Sequence, residues 1–181
     1  MPELIMSSGT ELFPHYKSEF TCCFSGHRPQ KLPWGYDESD SRCLELKELI
    51  AEQLRLFYDE GVRRFVCGMA AGCDFYFAEE VIRLAREKRG IVLEAAIPFA
   101  GQPDSLPTAE LKDRYKNILA HCEIQTVLSS HYHSFCMQLR NRYMVDISDK
   151  LLAVSAGLVG GTSYTIEYAK RKGLKTVVIK L

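Results

Sequence analysis

The 181-residue sequence predicts an α/β protein with three layers, a doubly wound parallel sheet of about six strands between two layers of helices. Two observations carry this. Short runs rich in β-branched, aromatic or cysteine residues alternate with longer amphipathic stretches, the pattern of βαβ units. Three of those runs also stop at glycine and hand over to a helix: Phe24-Ser25-Gly26-His27-Arg28, Val66-Cys67-Gly68-Met69-Ala70-Ala71-Gly72-Cys73-Asp74, and Leu158-Val159-Gly160-Gly161-Thr162. On successive parallel strands such turns gather along the carboxyl edge, where open α/β sheets bind ligands.

Taken in order, residues 1–19 show little periodicity and include Ser7, Ser8, Gly9 and Pro14, so they read as an irregular N-terminal extension. Strands are expected at 20–24, 64–67, 91–97, 124–128, 151–155 and 176–181. The first helix, 43–60, carries Leu44, Leu46, Leu49, Ile50, Leu54 and Phe57 near helical spacing. Further helices are expected at 75–88, 107–120, 135–148 and 162–172, with Gly61, Gly90 and Gly173 as C-terminal stops. No internal repeat, low-complexity tract or linker interrupts this order, which fits one domain over 20–181.

Composition narrows the class. Hydrophobic residues make up 46% and charged residues 25%, ordinary globular usage. Lys plus Arg equals Asp plus Glu at 23 each, so a protein built to coat a polyanion is disfavoured and nucleic acid is an unlikely partner. No apolar run is long enough to span a bilayer and no charged-then-apolar leader stands at the start, so a cytoplasmic location away from membranes is expected. Seven cysteines without C-x-x-C spacing read as buried reduced thiols, and no metal site is expected; His131 and His133 lack a third ligand at a telling spacing. A homodimer through exposed helices is compatible with this size, though no stripe names an interface and no protein partner is indicated.

The three turns carry the chemistry. Glycine permits a tight bend and lets a ligand approach the exposed N–H groups of the next helix, whose dipole favours an anion. In the first turn Ser25 and Gly26 lead to His27 and Arg28: the arginine can hold phosphate bidentately, and the histidine can act as donor or acid. Trp34, in the long loop that follows, either stacks on a base or plugs the sheet edge. In the second turn Gly68 and Gly72 can bring backbone near a pyrophosphate, while Asp74 either caps its helix or accepts from ribose hydroxyls. Gly160, Gly161 and Thr162 offer two flexible peptides and a hydroxyl. Pro98-Phe99 ends the third strand as an aromatic wall or as core. Neither G-x-G-x-x-G nor the Walker A ending is present, which disfavours a standard dinucleotide dehydrogenase or P-loop enzyme.

Together Ser25-Gly26-His27-Arg28-Pro29, Gly68 through Asp74 with Ala78-Glu79, Pro98-Phe99, Arg140 through Asp146 with Ser148-Asp149, and Gly160-Gly161-Thr162 resemble the SLOG superfamily. This Rossmann-like group includes DprA/Smf proteins, LOG phosphoribohydrolases and YpsA-like proteins, and the resemblance is strongest to the YpsA-like branch. It implies a single SLOG-like Rossmann domain over 20–181 that binds a nucleotide or nucleotide derivative such as ADP-ribose, NAD or AMP. No cofactor is required by it, and the reading it favours is a sensor or regulatory module. Arg140 matches the catalytic arginine of LOG enzymes. Their glutamate falls three residues after the threonine, whereas here Glu167 falls five after Thr162, turned by about 200° on a helix. Two alternatives accompany the binding reading. One is N-glycosidic hydrolysis, with Asp74, Glu79 and Arg140 as catalytic candidates; the other is DprA-like single-strand DNA binding. Arg140 and Asn141 stand about 100° apart on their helix, so only one of them is expected to face the sheet rim. Arg142 is expected to pair with Asp146 one turn on.

Overall fold

The computed structural model describes residues 3–6, as backbone, and 20–181. Its strands are β1 (Glu3–Met6), β2 (Thr21–Ser25), β3 (Arg64–Cys67), β4 (Val92–Ile97), β5 (Ile124–Val127), β6 (Lys150–Ser155) and β7 (Lys175–Lys180). Its helices are α1 (Ser41–Asp59), α2 (Cys73–Glu87), α3 (Ala109–Ala120), α4 (Cys136–Asp146) and α5 (Gly161–Arg171). The six expected strands and five helices are present, each end within two residues, and the small shifts have local causes. Thr108, for example, takes over the start of α3, its Oγ1 accepting from Leu111 N–H at 3.2 Å, which leaves Pro107 outside the helix.

The sheet has seven strands, all parallel, in the order β1-β5-β4-β3-β2-β6-β7. The seventh corrects the expectation of a wholly irregular extension: Glu3–Met6 adds to the sheet edge in register with Ile124–Val127. The remainder of that extension lies outside the described residues.

Alternation builds the two faces. Along β2, Cys22 and Phe24 point into one core and Cys23 into the other; Phe65 and Cys67 of β3 likewise oppose Val66. The larger core lies under α1, α2 and α3, with Phe24 stacked on Phe77 at 4.5 Å between ring centres. The smaller lies under α4 and α5, around Tyr143, Met144, Val145 and Ile166. Helix α1 buries Cys43, Leu46, Ile50, Leu54 and Phe57, one stripe at helical spacing, and leaves Leu44 and Leu49 exposed. Each full burial of such a side chain contributes roughly 1.5–3 kcal/mol.

One polar group interrupts this plan. Glu94, in the middle of β4, is wholly buried; it accepts from Arg64 Nε at 2.7 Å, from Thr126 Oγ1 at 2.8 Å and from Tyr143 O–H. All seven cysteines are free and buried.

From β2 the chain winds outward through β3, β4 and β5, then crosses back to place β6 on the other side of β2. The carboxyl ends of β2 and β6 therefore form the point where winding reverses, the crevice in which open α/β sheets hold ligands.

Candidate functional site

The crevice is a cleft of about 320 Å³, near the lower end of ligand-site volumes. Its walls come from the end of β2 with the following turn, from α4, and from the start of α5, with Ala70 and Asp74 closing the side toward β3.

Backbone contacts shape the first wall. Cys73 packs so near Gly26 that a Cβ there would sit 2.4 Å from the cysteine Cβ, so glycine is what lets the turn lie on α2. His27 is 5% exposed, and Ala156 N–H donates to its Nε2 at 2.9 Å. An accepting Nε2 is an unprotonated one, and burial, reinforced by Lys31, lowers the ring's pKa below 6.5. His27 is thereby a neutral staple between the ends of β2 and β6, with its Nδ1–H left as a donor rather than an imidazolium acid.

Arg28 caps and Lys31 closes a short 3₁₀ turn, Pro29–Lys31. Spaced i to i+3, their side chains eclipse on one face, and both line the cleft. Neither has a carboxylate partner among the described residues; Arg28 Nη2 reaches only Met137 Sδ, at 3.7 Å. The Lys31 ammonium lies against the start of α5, where a Cβ on Gly160 would sit 2.9 Å from Nζ. There the helix opens with Gly160, Gly161 and Thr162, and Thr162 Oγ1 donates to the Gly26 carbonyl at 3.2 Å, tying the first and third turns together.

The opposite wall holds a buried pair. Asp74 accepts from Ala70 N–H at 3.1 Å through Oδ2, and Arg140 Nη1 stands 3.7 Å from the same oxygen. Arg140 Nη1 donates to the Gly68 carbonyl, while its Nε is buried without a partner. Burial raises the Asp74 pKa against the pull of Arg140, and burial lowers that of Arg140 against the pull of Asp74.

Of the residues expected at the site, Ser25, Gly26, His27, Arg28, Asp74, Arg140, Asn141, Gly160, Gly161 and Thr162 line the cleft. Arg140 and Asn141 both do so, contrary to expectation, because the cleft straddles the two directions: Arg140 reaches toward Gly68 while Asn141 Nδ2 approaches Gly161. Six others stand elsewhere. At Gly68 a Cβ would collide with the Arg140 guanidinium, and at Gly72, with φ of 93°, it would meet the His27 carbonyl at 2.8 Å. Both glycines make room for protein rather than for a ligand. Trp34 is core, its Nε1–H donating to Tyr76 O–H at 3.4 Å. Pro98 is buried, and Phe99 meets Tyr132 edge-on at 5.4 Å, away from the cleft. Glu79 serves an ion pair on the far side of α2, accepting from Arg114 Nε at 2.6 Å.

Glu167 is exposed and pairs with Lys170 at 3.4 Å, the displacement its spacing predicts. Arg142 does not pair with Asp146; it donates to Tyr164 O–H from Nε and Nη2 at 3.0 and 2.8 Å, while Lys172 takes Asp146 at 2.9 Å. The described residues hold no group of three or more His, Cys, Asp or Glu that could bind a metal ion, and no helix among them is long and apolar enough to cross a membrane.

Sequence reasoning missed Phe24, Gln30, Lys31, Ala70, Met137 and Met144 as lining residues. The signal was available for the lysine: Pro29 at the first position of a turn sets up an i, i+3 pair with Arg28.

Comparison with known proteins adds a family. The model described as the YspA SLOG family matches residues 22–178. A UPF0398 protein of Bacillus velezensis is 24% identical over 151 residues, covering 82% of each chain. The UPF0398 protein YpsA of Bacillus subtilis is 25% identical over 131 residues, 71% of each. Among solved structures, DNA processing protein A from Helicobacter pylori, described by its single-stranded DNA binding mode, superposes with a TM-score of 0.57 at 15% identity. That match covers 90% of this chain and 66% of the other, and it shows the shared fold. It also corrects the expectation that nucleic acid is an unlikely partner: a protein of this fold binds single-stranded DNA, so a net charge of zero is no ground for setting nucleic acid aside.

Proposed function

The chain belongs to the YspA SLOG family, and on that premise we propose that its rim cleft binds a phosphate-bearing nucleotide ligand, as a sensor or regulatory module. One observation carries the reading: Arg28 and Lys31, neither in an ion pair among the described residues, line one cleft at the point where the sheet's winding reverses, with the Lys31 ammonium against the N-terminus of α5. A cation against the positive end of a helix is an unfavourable neighbour unless an anion stands between them. A phosphate does so, accepting from the N–H groups of Gly161 and Thr162 on one side and from the two cations on the other. ADP-ribose, NAD and AMP are the ligands the family resemblance suggests.

Hydrolysis of an N-glycosidic bond finds less support. Among the described residues Asp74 is the sole carboxylate lining the cleft, Glu79 is held by Arg114, and Glu167 is exposed.

Single-stranded DNA is the second reading, favoured by exposed apolar side chains on the loops that lead into α4 and α5. Tyr132 and Phe135, ahead of α4, are 68% and 65% exposed, and Val159, ahead of α5, is 94% exposed. Bases stack on such surfaces while cations hold the backbone.

Calorimetric titration of the folded protein with ADP-ribose, NAD and AMP tests the first reading. At least one is expected to bind, and Lys31→Glu is expected to weaken that ligand tenfold or more. Silence from all three overturns it. Fluorescence anisotropy of a labelled oligonucleotide, with affinity falling steeply as salt rises, tests the second.

A further inference from the structure

The cleft is chemically two-sided, and its second side is the less easily explained. Phosphate suits the wall of Arg28, Lys31 and the α5 N-terminus. It does not suit the Asp74 carboxylate opposite, which repels an anion.

Two unmet hydrogen-bonding capacities meet on that opposite wall. Asp74 is 5% exposed, and its one hydrogen bond, from Ala70, goes to Oδ2; its Oδ1 accepts from nothing among the described residues. Arg140 is 7% exposed with Nε unpartnered, and at 3.7 Å its Nη1 lies beyond a proper hydrogen bond to Oδ2. The two groups are neighbours that fail to satisfy one another. Each is fixed from behind: Asp74 by Ala70, and Arg140 by the Gly68 carbonyl, which Gln102 Nε2 also engages at 3.2 Å. A Cβ at position 68 would fall 1.7 Å from Arg140 Nη1, so the glycine there admits the guanidinium.

What the pair lacks is a donor to the carboxylate beside an acceptor for the guanidinium. A phosphate offers acceptors alone. A hydroxyl is both donor and acceptor, and two adjacent hydroxyls meet both needs at once. We propose that Asp74 and Arg140 together read the vicinal diol of a ribose, making the cleft a ribonucleotide site that discriminates against 2′-deoxy sugars. The inference rests on the nucleotide reading of the cleft and assigns its orientation: phosphate toward α5, sugar toward the β3 turn.

The test is calorimetric titration of the unmodified protein with ADP and with 2′-deoxy-ADP. The deoxy compound is expected to bind roughly tenfold to hundredfold more weakly, because it leaves a buried group unpaired. Asp74→Asn, nearly isosteric, is expected to bring the two ligands within threefold of each other. Equal binding to the unmodified protein overturns this inference while leaving the nucleotide reading intact, and it needs no variant to fold. Discrimination that survives in Asp74→Asn overturns it as well. If ADP does not bind, AMP and 2′-deoxy-AMP take its place under the same criteria, and silence from AMP, ADP-ribose and NAD as well overturns the nucleotide reading and the inference with it.

Discussion

At the scale of single residues, the site depends on side chains whose surroundings decide their chemistry. His27 is the clearest case. Its ring accepts a backbone N–H, and its pKa in the fold lies below 6.5. Above pH 6.5 the ring is neutral in both folded and unfolded chains, and its contribution is fully present. As pH falls below 6.5 the unfolded chain takes up the proton first, so stability declines until the folded-state pKa is passed. Urea denaturation across this range is expected to show that decline, and His27→Gln is expected to lose this part of it. The sequence marks His27 as a titratable ring at the rim but does not reveal the backbone contact, because residue type says that a histidine can titrate and not which neighbour fills its lone pair. The same holds for Gly68 and Gly72: a glycine announces that something comes close, and here the visitors are Arg140 and the His27 carbonyl rather than a ligand.

At the scale of elements, periodicity was a sound guide wherever one face of a strand or helix is buried. The stripe of α1 and the alternation of β2 and β3 follow directly from residue order. Glu94 was not legible in this way, since its place in an apolar strand gives no hint that Arg64, Thr126 and Tyr143 wait for it on β3, β5 and α4. Removing one partner of a buried charge pair typically costs about 3–5 kcal/mol, so Glu94→Leu is expected to destabilise the fold by that order, whereas Glu94→Leu with Arg64→Met recovers much of it. Chemical denaturation of the three proteins checks both halves. At the junction of β2 and α2, Gly26→Ala forces a Cβ to within 2.4 Å of Cys73 Cβ, and a loss of about 1–3 kcal/mol is expected from the overpacking. The strand Glu3–Met6 escaped detection for another reason: four residues carry too little pattern to set against a sequence that goes on through Ser7, Ser8, Gly9 and Pro14.

At the scale of the whole molecule, the cleft joins the five strands from β1 to β2 to the pair β6 and β7, so an occupant touches both parts of the sheet. A ligand at a hundred times its dissociation constant adds about 2.7 kcal/mol, and thermal denaturation with a binding nucleotide at that level is expected to shift the midpoint up by about 5 °C or more. Order along the chain made the rim legible, since turns after successive parallel strands must share one edge. The polarity of the cleft was not legible, because it arises from α4 and the Pro29–Lys31 turn meeting across space. The distribution of cysteines gives the molecule a property of another kind. Cys22 and Cys23 lie on β2, Cys43 on α1, Cys67 on β3, Cys73 on α2, Cys122 just after α3 and Cys136 on α4. Burial drives the thiols of Cys22, Cys67 and Cys73 well up and those of Cys23 and Cys122 to about 12. The native protein therefore shows no reactive sulfur to a thiol reagent, and every labelling event records an opening. Seven sulfurs spread through the sheet and both helical layers make an internal clock: modification all at once marks global unfolding, and early modification of Cys23 and Cys136 marks the layer of α4 and α5 parting first.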